Sequence, residues 1–325
     1  MKCTNRKTIL AGFLCVAITL GGCGRLKYDM PYDSNAQMGG FHIIAGGEED
    51  RAKPFASDLC VVSGNINPES IDMSQATAAV LFDVNDKETL YAKGAHEKLN
   101  PASLTKVMTA LVALKNGSLE QILTATDNVK ITESGAQLCG IKTGDTMTLE
   151  QALHVLLIYS ANDVAMLIAE NVGGTVEHFV ELMNEEAGLL GATNTHFTNP
   201  HGLTDTEHYS TAYDLYLMLN EAMHYDKFTE IIHKTSYQMT YYDQNGAGKE
   251  LNFESTNRFF RGHFQAPENI NIIGGKTGTT SAAGHCLMLL SKDAAGAPYI
   301  SVILQSEESD ILYQEMVDLL GEINK

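Results

Sequence analysis

The sequence predicts a mixed α/β fold: one sheet completed by the two ends of the chain, with a helical insert between them. Three observations predict it. Residues 78–84 and 88–92 are apolar runs around the polar pair Asn85-Asp86, the pattern of a β-hairpin. Helical periodicity and capping signals dominate residues 107–233. Strand character returns in 272–280, 285–290 and 299–305, followed by an amphipathic helix over 309–323.

The chain has 325 residues, 44% of them hydrophobic, which is globular rather than disordered. Its first segment reads as targeting information. Lys2, Arg6 and Lys7 make a positive start, and 8–20 is apolar but short for a bilayer. Leu20-Gly-Gly-Cys23 follows, and it resembles a bacterial lipobox. We therefore expect a lipoprotein-type signal peptide over 1–22, export, and a lipid on Cys23 that holds the protein to the outer face of the cytoplasmic membrane. Residues 23–70 read as a flexible tether with a short strand at 59–62, and 71–325 as the folded domain.

Losing the three signal cations takes the net charge from −18 to −21. Such a surface argues against nucleic acid and against electrostatic docking on anionic lipid. Cys60, Cys139 and Cys286 remain after Cys23, an odd number without C-x-x-C spacing, which argues against a disulfide framework or zinc site. Cys286 sits in an apolar run and is expected in the core.

Taken in order, the elements are these. The predicted hairpin leads through Gly94 and Leu99 into a helix over 107–115 that stops at Asn116-Gly117. Thr148-Leu-Glu-Gln151 is a capping box before an apolar helix. That helix is interrupted at Tyr159-Ser-Ala-Asn-Asp163 and resumes as far as Gly173-Gly174. Thr175 is placed to cap the next helix, and two more begin near 210 and 227. Residues 237–242 and 250–253 flank Asn245-Gly-Ala-Gly248 as a second hairpin.

Chemistry enters at Ser103-Leu-Thr-Lys106. On a helix these residues share a face, one turn apart. A lysine withdrawn from water has a lowered pKa, because desolvation disfavours its charged form, and the neutral amine can activate a neighbouring serine. Alone the motif is more often a solvated helix face than an active site. Ser160-Ala-Asn162, at the helix break, can relay a proton and orient a substrate amide, although Ser and Asn are also ordinary capping residues. Lys276-Thr-Gly278, with Thr279, lies on a strand of small residues along which a peptide can run; its hydroxyls and amine suit a carboxylate. The Thr279 and Ser103 amides could form an oxyanion hole. A second Lys142-Thr-Gly144 reads as a turn, because it precedes Ser160. The segment 274–279 is not a phosphate-binding loop, since Ile270 stands where that motif needs glycine.

The three motifs occur in the order S-x-x-K, S-x-N, K-T-G, separated by 57 and 116 residues. That order is the signature of penicillin-binding proteins and class A β-lactamases. With Tyr159-Ser-Ala-Asn-Asp-Val-Ala, Phe197-Thr-Asn-Pro-His-Gly-Leu203 and His208-Tyr-Ser-Thr-Ala-Tyr-Asp214, the chain resembles the low-molecular-mass D-alanyl-D-alanine carboxypeptidases, the S11 serine peptidases, over roughly 78–323. The resemblance implies a β-lactamase/transpeptidase-like fold: a five-stranded antiparallel sheet flanked by helices, plus a helical subdomain bearing S-x-N. It implies Ser103 as nucleophile, Lys106 as base, Ser160 and Asn162 as catalytic partners, and Lys276, Thr277, Gly278 and Thr279 as substrate-binding residues. The implied substrate is a peptidoglycan stem peptide ending in D-Ala-D-Ala, with β-lactams as covalent inhibitors and no metal or organic cofactor. No all-β domain after the peptidase domain is expected. His201 and His208 read as loop residues.

Rivals remain at this stage. A class A β-lactamase adds E-x-x-L-N after S-x-N; the nearest match is Glu186-Ala-Gly-Leu189, followed by Leu190 rather than Asn. A non-catalytic lipoprotein that binds peptidoglycan or senses β-lactams, and a transpeptidase, are also open.

Overall fold

The computed structural model describes residues 56–67 and 69–325. The expected signal peptide, Cys23 and most of the tether lie outside these residues. The first hairpin forms as β1 (Ala76–Asp83) and β2 (Glu88–Lys93). The C-terminal strands are β7 (Asn271–Thr280), β8 (Gly284–Lys292) and β9 (Pro298–Ser306). Together they build one antiparallel sheet in the order β2-β1-β9-β8-β7, so the two ends of the described chain meet at the β1–β9 pairing.

Its central strands are buried on both faces. Along β1, Ala78, Val80 and Phe82 face one core while Ala79 and Leu81 face the other. On β8, Met288 and Leu290 join the first core, Leu287 and Leu289 the second. Alternating side chains thus reach opposite faces, but both are apolar, which reads in sequence as a continuous apolar run. The second core is closed by α7 (Ser309–Gly321), through Leu312, Tyr313, Met316, Leu319 and Leu320.

Helices cover the first face: α1 (Lys106–Asn116), α2 (Leu149–His154), α3 (Asn162–Gly173), α4 (Val176–Leu189), α5 (Ala212–Ala222) and α6 (Asp226–Ile232). Residues Lys106 to Ala113 of α1 are all buried, as expected of a helix apolar on every side. The Thr148–Gln151 capping box forms reciprocally, and Thr175 caps α4 by accepting from His178 N.

A second sheet was not foreseen. β3 (Ile122–Thr124), β4 (Thr146–Thr148), β5 (Ser236–Tyr242) and β6 (Gly248–Glu254) pair antiparallel in that order. The β5–β6 hairpin was legible; β3 and β4 are too short for a period of two to register.

The N-terminal boundary also moves. Residues 59–62 form no strand; Ile66 instead bridges to Ala92. Cys60 and Val62 are nevertheless buried in the first core, ahead of residue 71. Cys60 N–H donates to Tyr216 Oη at 2.9 Å, and Tyr213 Oη donates to Cys60 O at 2.9 Å. Two tyrosines of α5 therefore clamp this segment by satisfying its backbone polar groups, so packing here does not depend on a strand ladder.

Candidate active site

A cleft of about 370 Å³ runs between β7 and the helical insert. Ser103, Gln137, Ser160, Asn162, Thr277 and Thr279 are in its wall. All three motifs converge here. Lys142-Thr-Gly144 does not: it is a turn in which Lys142 N donates to Asp145 Oδ2 and Thr143 Oγ1 to Asp127 Oδ1.

Ser103 lies in a single 3₁₀ turn, Ala102–Thr105, that leads directly into α1. Lys106, the first residue of α1, is fully buried. Its Nζ is 2.8 Å from Ser103 Oγ, 2.7 Å from Asn162 Oδ1 and 2.7 Å from the backbone oxygen of His201. Burial and the nearby Lys276 hold its pKa well below the ordinary lysine value; Asp163 opposes them. A neutral amine has two N–H bonds and one lone pair. Asn162 Oδ1 and His201 O can only accept, so they take both N–H bonds and leave the lone pair facing Ser103 O–H. This is the geometry of a base poised on its nucleophile.

Ser160 ends a π-helical turn, Val155–Tyr159, and has left-handed backbone angles of φ 71°, ψ 31°. It does not cap α3: Ala161 occupies that position, without a side-chain bond. Ala102, just before Ser103, also has positive φ, 47°. Non-glycine residues in this region cost on the order of 1–3 kcal/mol and concentrate at functional sites. The break turns Ser160 toward Lys276, whose Nζ lies 2.8 Å from Ser160 Oγ and 2.8 Å from Thr277 O. Lys276 is buried, which lowers its pKa to about 7. It therefore lies beneath the cleft rather than in it, while Thr277 and Thr279 line it. Thr277 Oγ1 is braced by Thr256 Oγ1 at 2.6 Å. A β-carbon on Gly278 would come within 3.0 Å of Ser103 N, so glycine lets the strand approach the Ser103 amide.

Two groups escaped sequence reasoning. The guanidinium of Arg258 belongs to the cleft wall, bonded to Ser309 Oγ and Asp310 Oδ1 and stacked over Phe264 and Tyr313. Its signal was an arginine 18 residues before Lys276, outside any motif and too weak to single out. Segment 197–203 entered only as part of the resemblance, with His201 and His208 read as loop residues, yet His201 supplies a lysine ligand and both histidines are buried. Burial lowers the pKa of His201 to about 3 and that of His208 to about 4, so both are neutral near pH 7. Among the described residues Cys60, Cys139 and Cys286 are free thiols, with Cys286 buried on β8 as expected. No metal-binding cluster occurs among the described residues.

Comparison with known proteins identifies the family and the fold. A family model described as D-alanyl-D-alanine carboxypeptidase, Peptidase S11, matches residues 65–308. The chain is 34% identical over 227 residues to D-alanyl-D-alanine carboxypeptidase DacF of Bacillus subtilis, covering 67% of this chain and 54% of that protein. It is 31% identical over 279 residues to D-alanyl-D-alanine carboxypeptidase DacC of Escherichia coli, covering 82% and 64%. The chain thus spans between about half and two thirds of these relatives' lengths. Among solved structures, the Streptomyces K15 DD-transpeptidase superposes with a TM-score of 0.71 at 25% identity, covering 77% of this chain and 97% of that one. A putative penicillin-binding protein homolog, Rv2911 of Mycobacterium tuberculosis, gives 0.69 at 26% identity, covering 81% and 95%. The overall fold is therefore shared with these structures, and the chain belongs to the S11 D-alanyl-D-alanine carboxypeptidase family of serine peptidases.

Proposed function

We propose that the protein is a serine-type D-alanyl-D-alanine carboxypeptidase that removes the terminal D-alanine from peptidoglycan stem pentapeptides. The observation that carries this reading is the buried Lys106 amine, 2.8 Å from Ser103 Oγ, with its two other contacts accepting only. Neutral Lys106 takes the hydroxyl proton as Ser103 Oγ attacks the carbonyl of the penultimate D-alanine. The oxyanion is held by the amides of Ser103 and Thr279. Ser160, bonded to Lys276, delivers a proton to the departing D-alanine nitrogen and is reprotonated by the Lys106 ammonium, so the proton taken from Ser103 leaves with D-alanine. Thr277 and Thr279, together with Arg258, receive the substrate carboxylate, and Lys276 acts from below through Ser160. Water then cleaves the Ser103 ester. A penicillin enters the same cleft and acylates the same oxygen.

Incubating the protein with a D-Ala-D-Ala-terminated peptide should release free D-alanine, and Ser103→Ala should abolish both release and covalent labelling by a fluorescent penicillin. Persistent labelling of that variant would remove Ser103 from its role. Slow release of bound penicillin supports the peptidase, whereas rapid nitrocefin turnover supports a β-lactamase. Acylation without D-alanine release points to a sensor. Adding an amine acceptor distinguishes transpeptidation, the activity named for the Streptomyces neighbour.

The lipobox-like Leu20-Gly-Gly-Cys23 supports export and a lipid tether on Cys23 at the outer face of the cytoplasmic membrane. No helix of the described residues is long and apolar enough to cross a membrane. Cys23→Ala should move the protein from the membrane fraction to the soluble fraction; retention would refute the lipid anchor.

A further inference from the structure

The turn that carries Ser103 is held from behind by a chain of hydrogen bonds whose protons can be assigned one by one. Thr198 N–H donates to His208 Nδ1 at 3.1 Å, so Nδ1 is the acceptor nitrogen and the proton of the neutral ring sits on Nε2. His208 Nε2 lies 2.9 Å from Thr105 Oγ1. Thr105 Oγ1 in turn donates to the carbonyl oxygen of Ala102 at 2.8 Å. Thr105 and His208 are both buried, so water does not compete for these bonds. The sequence runs from backbone N–H to backbone C=O, with each donor and acceptor used in a single direction.

Its end point matters because Ala102 C=O and Ser103 N–H belong to one peptide unit. In a trans peptide they point to opposite sides. Two glycines mark those sides. A β-carbon on Gly202 would fall 1.9 Å from Ala102 O, and one on Gly278 would fall 3.0 Å from Ser103 N. The oxygen is thus gripped on the side of the 198–203 loop, and the amide is presented to β7, which borders the cleft. Donation to the carbonyl also polarises the peptide and strengthens its N–H as a donor.

We infer that His208, acting through Thr105, is a positioning residue for the oxyanion site: it sets the orientation and donor strength of the Ser103 amide. This rests on the peptidase reading above. Neither side chain touches substrate; the effect is transmitted through one peptide plane. It falls on the transition state, where charge develops on the carbonyl oxygen, and not on ground-state binding.

The test uses the full-length protein and four variants. Thr105→Val removes the hydroxyl and keeps the shape; Thr105→Ser restores it. His208→Asn keeps an acceptor near Nδ1 but loses the donor to Thr105, whereas His208→Gln keeps a donor near Nε2. We expect Thr105→Val and His208→Asn to lose about tenfold to a hundredfold in kcat for D-alanine release, with KM little changed, since outright loss of an oxyanion donor costs about a hundredfold to a thousandfold. Thr105→Ser and His208→Gln should stay within about threefold of wild type. A peptide boronic acid, whose tetrahedral adduct fills the oxyanion site, should lose affinity in parallel with kcat. Thermal midpoints identify folded variants, and the His208 pair decides if Thr105→Val unfolds. Wild type that neither labels with penicillin nor releases D-alanine overturns the peptidase reading and this role with it. Active wild type with folded variants of unchanged kcat, or with losses confined to KM, overturns this role alone.

Discussion

Lys276 Nζ and Ser160 Oγ lie 2.8 Å apart although 116 residues separate them in the chain. The lysine reaches from β7 and the serine from the break before α3, so the contact stitches the sheet to the helical insert across the floor of the cleft. Both partners are buried, and the lysine's pKa is lowered to about 7.

That burial makes stability depend on pH. Unfolded, the same lysine titrates near 10.5. Between about 7 and 10.5 the unfolded chain binds more protons than the folded one, so stability rises with pH across this window, and the penalty is fully present below it. Lys276→Met has no such slope. Wild type should gain about 2–3 kcal/mol relative to the variant between pH 7 and pH 9. Denaturant unfolding at the two pH values checks this, and parallel behaviour would refute a depressed Lys276.

Asn162 should control the protonation of Lys106. Asn162→Ala removes an acceptor at 2.7 Å and leaves a buried N–H unpaired, at about 1–3 kcal/mol. Penicillin acylation should slow by about a hundredfold, within the range of lost general-base catalysis. Asn162→Asp places a negative charge on the amine and favours its charged form. The rising limb of the pH–acylation profile should then move to higher pH. An unmoved limb would assign that titration to another group.

Gly202 should tolerate no side chain. Its φ is +85°, and a β-carbon would meet Ala102 O at 1.9 Å and Thr105 Oγ1 at 2.8 Å. Gly202→Ala is expected to cost about 3 kcal/mol or more, or to displace the nucleophile turn. Thermal unfolding with penicillin labelling separates the two; a stable, normally labelled variant contradicts the close approach.

Arg258 should act on substrate binding. It is a permanently charged group in the cleft wall and is absent from the Ser103–Lys106 hydrogen-bond set. Arg258→Leu should raise KM for a D-Ala-D-Ala peptide about tenfold or more, with a smaller change in kcat. Substrates whose terminal carboxylate is amidated should be insensitive to the substitution. Equal losses for both substrates would argue that Arg258 only braces Tyr313 and Asp310.

The sequence by itself determined most of the order of elements and singled out the groups that converge in the cleft. Both hairpins, the capping box at Thr148, the stop at Gly117 and the interruption at Ser160 are local signals, set by backbone propensity and by periods of two or 3.6 residues. Ser103, Lys106, Ser160, Asn162 and Lys276 were legible because their order and spacing are distinctive even though each motif alone is common. Tertiary structure alone decided what those groups do to one another. The second sheet depends on three-residue strands that acquire meaning only when paired. The clamp on Cys60 uses side chains more than 150 residues away. The pKa of Lys106 is lowered because helix, insert and loop together exclude water, and its amine meets two carbonyl acceptors. His201 and His208 looked like loop residues because a loop's sequence carries no record of what it is pressed against. A depressed pKa and an oriented lone pair come from the sum of groups brought together across the chain, and no local window of sequence contains that sum.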